Sequence, residues 1–378
     1  MIIKIYITFF VIWLLLITVA YRYRKNRLGK FVSRLVYALF ILGFIELASV
    51  IGFFLTSGTW LFREQYNYNA DLFEPHPYLV GVPKKNVQKA NYGIVYTHNS
   101  SGFRGEEFKA KSEKKRIIAL GGSTTYGVGV GDRQTWPFYL DSLLKDKFEV
   151  LNFGIPGHST VENIIFASFC LSDYSPDIVV IQAGLNDLQS LNVPDLSSDY
   201  SDFHAPTFFG ALGFCYHNQL PKFGIVMLGV LFLEKCGWYP VCSFHKMEAQ
   251  QKAKIGKQVN RDKALYLYRR NLKTLIAVCK QFNVKIIFVP QILVKESSEK
   301  NRLRWWIPYS ENESLQEDLI QYNGIMQQVA DSSNCVYAKN VIEENWVYGD
   351  FVDPSHFKPS ANYRLAKIIS QSILSMDE

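Results

Sequence analysis

The stretch DIVVIQAGLND, residues 177–187, decides the fold. Its first half is a short, unbroken apolar run rich in β-branched residues and closed by glycine. Such a run suits a strand buried on both faces, as in a parallel sheet, better than the alternating strand of a sheet with one wet face. Its second half leaves the strand with Gly184, Asn186 and Asp187. Similar runs recur outward from it. RIIALG (116–121), FEVLNFG (148–154), VKIIFVP (284–290) and CVYAK (335–339) read as four more strands. Helical apolar spacing fills the gaps in TWPFYLDSLLKD (135–146), TVENIIFASFCLSD (160–173), RDKALYLYRRNLKTLIAVCKQF (261–282), LQEDLIQYNGIMQQVADSS (315–333) and SANYRLAKIISQSIL (360–374). Repeated strand–helix units predict an α/β fold whose parallel sheet carries helices on both faces.

Two stretches break the repeat. Residues 191–260 form a long insertion rich in Phe, Tyr and Gly, and residues 291–312 a shorter one with Trp305 and Trp306. Segments of that length in a compact domain are commonly lids or binding loops. Within the first, FGIVMLGVLFLE (223–234) is too short to span a bilayer. A buried lid helix is its plainest reading, and lining an acyl pocket or touching the membrane surface are the alternatives.

Ahead of the repeat the chain opens with two apolar runs, Ile5–Ala20 and Leu35–Ser57. A helix needs about 20 apolar residues to cross the hydrocarbon. The second run reaches that length, and the first does so when Ile2, Ile3 and Tyr21 are counted. A signal peptide would place basic residues before its apolar core and small residues after it; here the first run ends in YRYRKNR. The expectation is a membrane hairpin over 1–57, with spans at about 3–21 and 35–57. Arg22, Arg24, Lys25, Arg27, Lys30 and Arg34 crowd around its tip. Short basic loops stay cytoplasmic, so everything after Ser57 is expected outside the cytoplasm. Glu46 sits mid-span, where a charge is costly; a protonated or helix-paired role is the plainer reading and a functional one the alternative. Residues 58–112 follow as a linker and lead-in, polar and carrying Pro75, Pro77 and Pro83, with NSSGFRGEEF (99–108) as a tight turn into a short edge element.

Composition narrows the function. Of 378 residues, 48% are hydrophobic and 20% charged, which excludes wholesale disorder. The formal charge of +7 comes largely from the six basic residues at the hairpin tip, so a nucleic-acid-binding face is a poor reading. Six cysteines are too few for a disulfide scaffold, and none has zinc-ligand spacing. Cys236 and Cys242, in CGWYPVC, are placed to pair in an oxidising compartment, whereas Cys170, Cys279 and Cys335 read as packing residues.

In an open parallel sheet, functional groups collect at the carboxyl ends of the strands. GGSTTYG after the first strand brings Ser123, and NFGIPGHST after the second brings Gly154 and Gly157. GLNDL after the third brings Asn186 and Asp187, and VDPSHFKP before the last helix brings Asp353 and His356. A hydroxyl, backbone donors, an amide and an acid–imidazole pair suit acyl transfer: the imidazole takes the hydroxyl proton, the carboxylate orients the imidazole, and donors stabilise the oxyanion. Asp187 is expected to tie down the Asn186 loop. His158 reads as a polar residue at the start of a helix, with lining the pocket as the alternative, and His76, His98, His204, His217 and His245 read as surface or loop residues.

These four blocks, in this order, resemble those of the SGNH (GDSL-type) hydrolases, and the likeness runs from about Lys115 to the C-terminus. NSSGFRGEEF is also similar to the lead-in of membrane-anchored members. The resemblance implies a three-layer α/β/α sandwich, flavodoxin-like, with a five-stranded parallel sheet, over 113–378 with the insertion 191–260. It implies Ser123, Asp353 and His356 as catalytic, with the Ser123 amide, the Gly157 amide and the Asn186 side chain as the oxyanion hole. Gly154 is the alternative in the second block, but its spacing from Asn152 favours Gly157. Gly122 stands where many members carry Asp, which alters the hydrogen bonding around Ser123. No cofactor or metal is implied. The expected activity is cleavage of carboxylic esters on extracytoplasmic glycans or lipids through an acyl-serine, with acetyl the acyl group to test first. Transfer to a glycan hydroxyl, and a non-catalytic glycan-binding or assembly module of an envelope system, are the alternatives.

Overall fold

Two apolar runs joined by polar residues 23–26 fold back on each other as helices α1 (Ile2–Arg22) and α2 (Arg27–Ser57). The computed structural model describes residues 2–57, 72–74, 76, 79, 81–91, 93–111, 113–192, 196–200, 223–236, 261–294 and 314–377. It divides the chain into two compact units, Met1–Tyr68 with Phe209–Ala249, and Asn69–Phe208 with Gln250–Glu378. In the hairpin the Trp13 indole donates to the Val36 carbonyl at 3.4 Å and stacks on Phe40. By length and composition α2 is long and apolar enough to cross a membrane over Arg27–Leu55, while the matching stretch of α1, Phe10–Arg22, is shorter.

The second unit begins with two small antiparallel pairs, β1 (Phe73–Glu74) with β2 (Val82–Pro83), and β3 (Val87–Asn91) with β4 (Ile94–His98). Then come β5 (Lys115–Gly121), α3 (Ser123–Tyr126), α4 (Trp136–Leu144), β6 (Phe148–Gly154), α5 (Thr160–Tyr174) and β7 (Ile178–Gln182). Helix α6 (Gly224–Lys235) follows in sequence but belongs to the hairpin's unit. The chain closes with α7 (Arg261–Gln281), β8 (Lys285–Val289), α8 (Leu315–Ser333), β9 (Val336–Tyr337), α9 (Asn340–Glu343) and α10 (Pro359–Asp377).

Five strands form one parallel sheet in the order β6-β5-β7-β8-β9. Successive side chains of a strand point to opposite faces. Ile117, Ala119, Ile178, Val180, Ile287 and Val289 therefore share one face, buried in a cluster with Trp136 and Leu140 of α4 and Leu365 and Ile369 of α10. Ile118, Leu120, Val179, Ile181, Ile286 and Phe288 face the other way and are equally buried. Burial of both sets explains the absence of alternation in these runs and gives the expected α/β/α sandwich. Because β6 lies on one side of β5 and β7 on the other, the chain reverses its winding direction at β5. The crevice at such a reversal lies outside the carboxyl ends of the strands and is the usual place for a ligand in this architecture.

The lead-in is packed rather than merely connecting. Its His98 is buried, contrary to the surface or loop position expected from the sequence, because its ring bonds the Tyr126 hydroxyl at 2.8 Å through Nε2 and the Lys84 carbonyl through Nδ1. Burial depresses its pKa to about 4. The folded state therefore holds fewer protons here than the unfolded chain between the ordinary histidine value of 6.5 and about 4. The stability this supplies is complete above 6.5 and is lost as pH falls through 4, by about 3 kcal/mol at the low end. Melts of the full-length protein from pH 7.5 to 4.5 should thus slope less steeply for His98→Gln than for wild type; parallel slopes would contradict this reading.

Candidate active site

Ser123 opens the short helix α3 directly after β5. Two glycines let α3 sit that close to the sheet. A Cβ on Gly154 would collide with the Tyr126 amide, and one on Gly121 with the Thr125 side chain. Gly154 is thus a packing position against the serine's helix. Gly157, the residue preferred to it in the second block, adopts a left-handed φ of 86°.

Asp353 and His356 lie in the loop before α10, held by pairing of Phe351 with Phe357 and by donation from the Val352 amide to the His356 carbonyl. Asp353 Oδ1 accepts from the amides of Ser355 and His356, each at 3.0 Å, and Oδ2 faces His356 Nδ1 at 2.6 Å. His356 Nε2 faces Ser123 Oγ at 2.8 Å. The structure therefore brings together three side chains from opposite ends of the sheet unit. Burial pushes the Asp353 carboxyl up, but the neighbouring imidazole and the hydrogen bonds outweigh it and hold the pKa at about 2. The stability from this pair is present above the ordinary carboxyl value of 3.8 and is lost only as pH falls through 2. An ionised carboxylate can only accept. Nδ1 of His356 therefore carries the proton that Asp353 binds, and a neutral ring presents Nε2 as an acceptor to the Ser123 hydroxyl. That is the arrangement required to strip a proton from a serine as it attacks.

Asn186, four residues beyond the end of β7, donates from Nδ2 to the His158 carbonyl at 2.9 Å. A side-chain amide has two N–H bonds, so one remains after this contact fixes the group. The same nitrogen would lie 2.6 Å from a Cβ on Gly122, and the His158 carbonyl 3.2 Å. Asn186, the Gly157–His158 segment and the turn carrying Ser123 thus meet. Asp187 accepts from the Thr160 amide and hydroxyl at the start of α5, which ties down the Asn186 turn as expected. His158 sits at the entry of α5, one residue before the capping Ser159, as expected, and is buried there, with Nε2 on the Gly81 carbonyl at 3.3 Å and its ring against Phe166. Cys170 and Cys279 are buried, as expected of packing residues, and Cys335 is partly so. Cys242, His204, His217, His245, Trp305 and Trp306 lie outside the described residues.

Gly122 gives a direct test of this geometry. Its φ of −90° is not left-handed and the atom nearest an added methyl belongs to a side chain, so Gly122→Ala should fold. The added methyl would displace the Asn186 amide, a side-chain tip rather than backbone. Turnover should fall toward the roughly 100-fold loss expected for Asn186→Ala, with an unchanged melting temperature. The double variant should lose no more than Asn186→Ala alone; additive losses would contradict a shared cause.

The sequence marks the turn that carries Arg104 but not Arg104 itself. Its buried guanidinium donates to Asp132 at 2.9 Å and to the carbonyls of Tyr126, Gly127 and Val130. It also lies over the rings of Tyr96 and Tyr126 at 4.5 and 4.7 Å. Five fixed donors make Arg the side chain suited to gathering several carbonyls at once. It clamps the end of α3, while Gln291 bonds Thr124 at 3.1 Å from the β8 side.

The sequence profile of the GDSL-like lipase/acylhydrolase family matches residues 119–362, a span that contains Ser123, Gly157, Asn186, Asp353 and His356. No curated protein matches the chain. Similar solved structures include TesA, at 13% identity over 69% of this chain and 99% of that one, with a TM-score of 0.40. The lipase/acylhydrolase from Enterococcus faecalis is similar at 14% identity over 69% and 96%, with a TM-score of 0.42. The acetylxylan esterase Axe2 from Geobacillus stearothermophilus is similar at 15% identity over 68% and 94%, with a TM-score of 0.40. Likenesses this distant carry no weight for activity or substrate.

Proposed function

The chain belongs to the GDSL-like lipase/acylhydrolase family, and on that premise we propose that it is a membrane-anchored serine esterase cleaving carboxylic esters on extracytoplasmic glycans or lipids. The observation that carries this reading is the 2.8 Å approach of Ser123 Oγ to His356 Nε2, with Asp353 behind the ring at 2.6 Å. Ser123 Oγ attacks the ester carbonyl while His356 takes its proton, giving a tetrahedral oxyanion. The Ser123 and Gly157 amides and the Asn186 side chain stabilise that charge. Its collapse expels the alcohol, which recovers the proton from His356 and leaves acyl-Ser123. Water, deprotonated by the same imidazole, then releases the acid and restores the serine. The oriented hydrogen-bond chain supports turnover over a purely binding role, because a binding module has no use for an imidazole poised on a serine.

The basic residues around 22–34 support a cytoplasmic hairpin tip and an extracytoplasmic sheet unit. A reporter fused after Glu378 should be active only outside the cytoplasm; activity inside would overturn the sidedness. For the chemistry, a fluorophosphonate should label full-length wild type and leave Ser123→Ala unlabelled. Equal labelling of both would remove Ser123 from the mechanism.

A further inference from the structure

Helix α6 (Gly224–Lys235), GIVMLGVLFLEK, carries no charge before Glu234. Its Met227 side is buried, yet Ile225, Gly229 and Phe232, which share the opposite face, are exposed, Phe232 by 62%. A helix apolar all round belongs in the core of a large protein or in a membrane. Its partner is α2, and the lid helix expected from the sequence is instead seated on the apolar hairpin. Gly224 lies so close that a Cβ there would come within 2.6 Å of the Val50 amide nitrogen, and Leu228, four residues further along α6, faces Gly52, two residues further along α2. The two helices therefore run in the same direction.

The carboxylate of Glu46 accepts from the amides of Gly224 and, at 3.1 Å, of Ile225. The first amides of any helix lack partners within it, and hydrocarbon offers them no water. Glu46 supplies the missing acceptors at the depth where α6 begins. At 1.5 Å per residue, the path from Glu46 to Ser57 is about 16 Å and α6 is about 18 Å long, each close to half of the roughly 30 Å hydrocarbon. Beside α6 the surface of α2 stays apolar and exposed at Leu47, Ile51 and Leu55, Leu55 by 75%. The exposed faces of the two helices form one apolar belt.

We propose that α6 is a half-span: it lies in the leaflet on the Ser57 side, with lipid acyl chains covering its Ile225–Gly229–Phe232 face and Glu46 capping its buried start. The proposal rests on the reading that α2 spans the membrane. It gives the chain a second membrane attachment, made by the insertion that interrupts the esterase sequence, and it assigns Glu46 a positioning role.

The test places a photoactivatable benzophenone residue at position 232 of the full-length protein in phosphatidylcholine vesicles. Position 42, on α2, reports on the span itself, and exposed Tyr363, in the sheet unit, serves as the aqueous control. Crosslinking to the lipid from 232 and 42 but not from 363 is the expected result. Crosslinking from 42 without 232 would overturn the half-span and leave the spanning reading standing. Failure at both would remove the spanning reading and the half-span with it. Glu46→Ala should reduce crosslinking from 232 several-fold while leaving 42 unchanged, and Glu46→Gln, which keeps one acceptor oxygen, should fall between. Equal crosslinking from 232 in all three would overturn the cap.

Discussion

Ser123→Ala is expected to lower turnover of an activated acetyl ester by about 10⁵–10⁶-fold with little change in melting temperature. The size follows from what is removed: without the hydroxyl no acyl-enzyme forms, and only water within the remaining oxyanion site can attack. Little else depends on the side chain. Ser123 is half-buried, and α3 keeps its position through the Arg104 clamp on Tyr126 and Gly127 and the Gln291 bond to Thr124. The measurement is a steady-state rate on full-length enzyme in detergent, with a melt as control. A loss below tenfold would leave Ser123 without a chemical role.

His356→Ala should cost a similar factor, because a serine hydroxyl is a poor nucleophile until a base takes its proton. Serine and histidine act as one unit, so the double variant should be no slower than either single one. Asp353→Asn isolates the third member. An amide in that place can donate toward Nδ1, which drives the ring to the tautomer protonated at Nε2, the nitrogen that must accept from Ser123. A loss of about 10⁴-fold is expected. Additive losses in the Ser123 and His356 double variant, or a mild Asp353→Asn, would argue that the three side chains are neighbours without being partners.

Much of this architecture was legible because its signals are local. A strand buried on both faces writes itself as an apolar run, and the runs at 116–121, 148–154 and 177–184 match β5, β6 and β7 closely. The last strand is shorter than the run 335–339: only Val336 and Tyr337 pair, at the edge of the sheet. The site was legible because each of its groups follows a strand end or precedes the closing helix, so local turns announce them. Arg104 and His98 were not, since their roles exist only once the lead-in packs on α3. Neither periodicity nor charge pattern in 58–112 encodes that contact. The run at 223–234 shows the same limit. Its composition fits a core lid and a membrane helix equally, and its cap, Glu46, lies 178 residues away in sequence.

The esterase reading stands or falls on a covalent species. Full-length protein mixed with an activated acetyl ester, quenched in acid within the first turnovers and mapped by peptide mass spectrometry, should carry one acetyl group on the peptide containing Ser123, and none after longer incubation once the ester is spent. An acetyl group found elsewhere, or product formed with Ser123 never modified, would contradict the account.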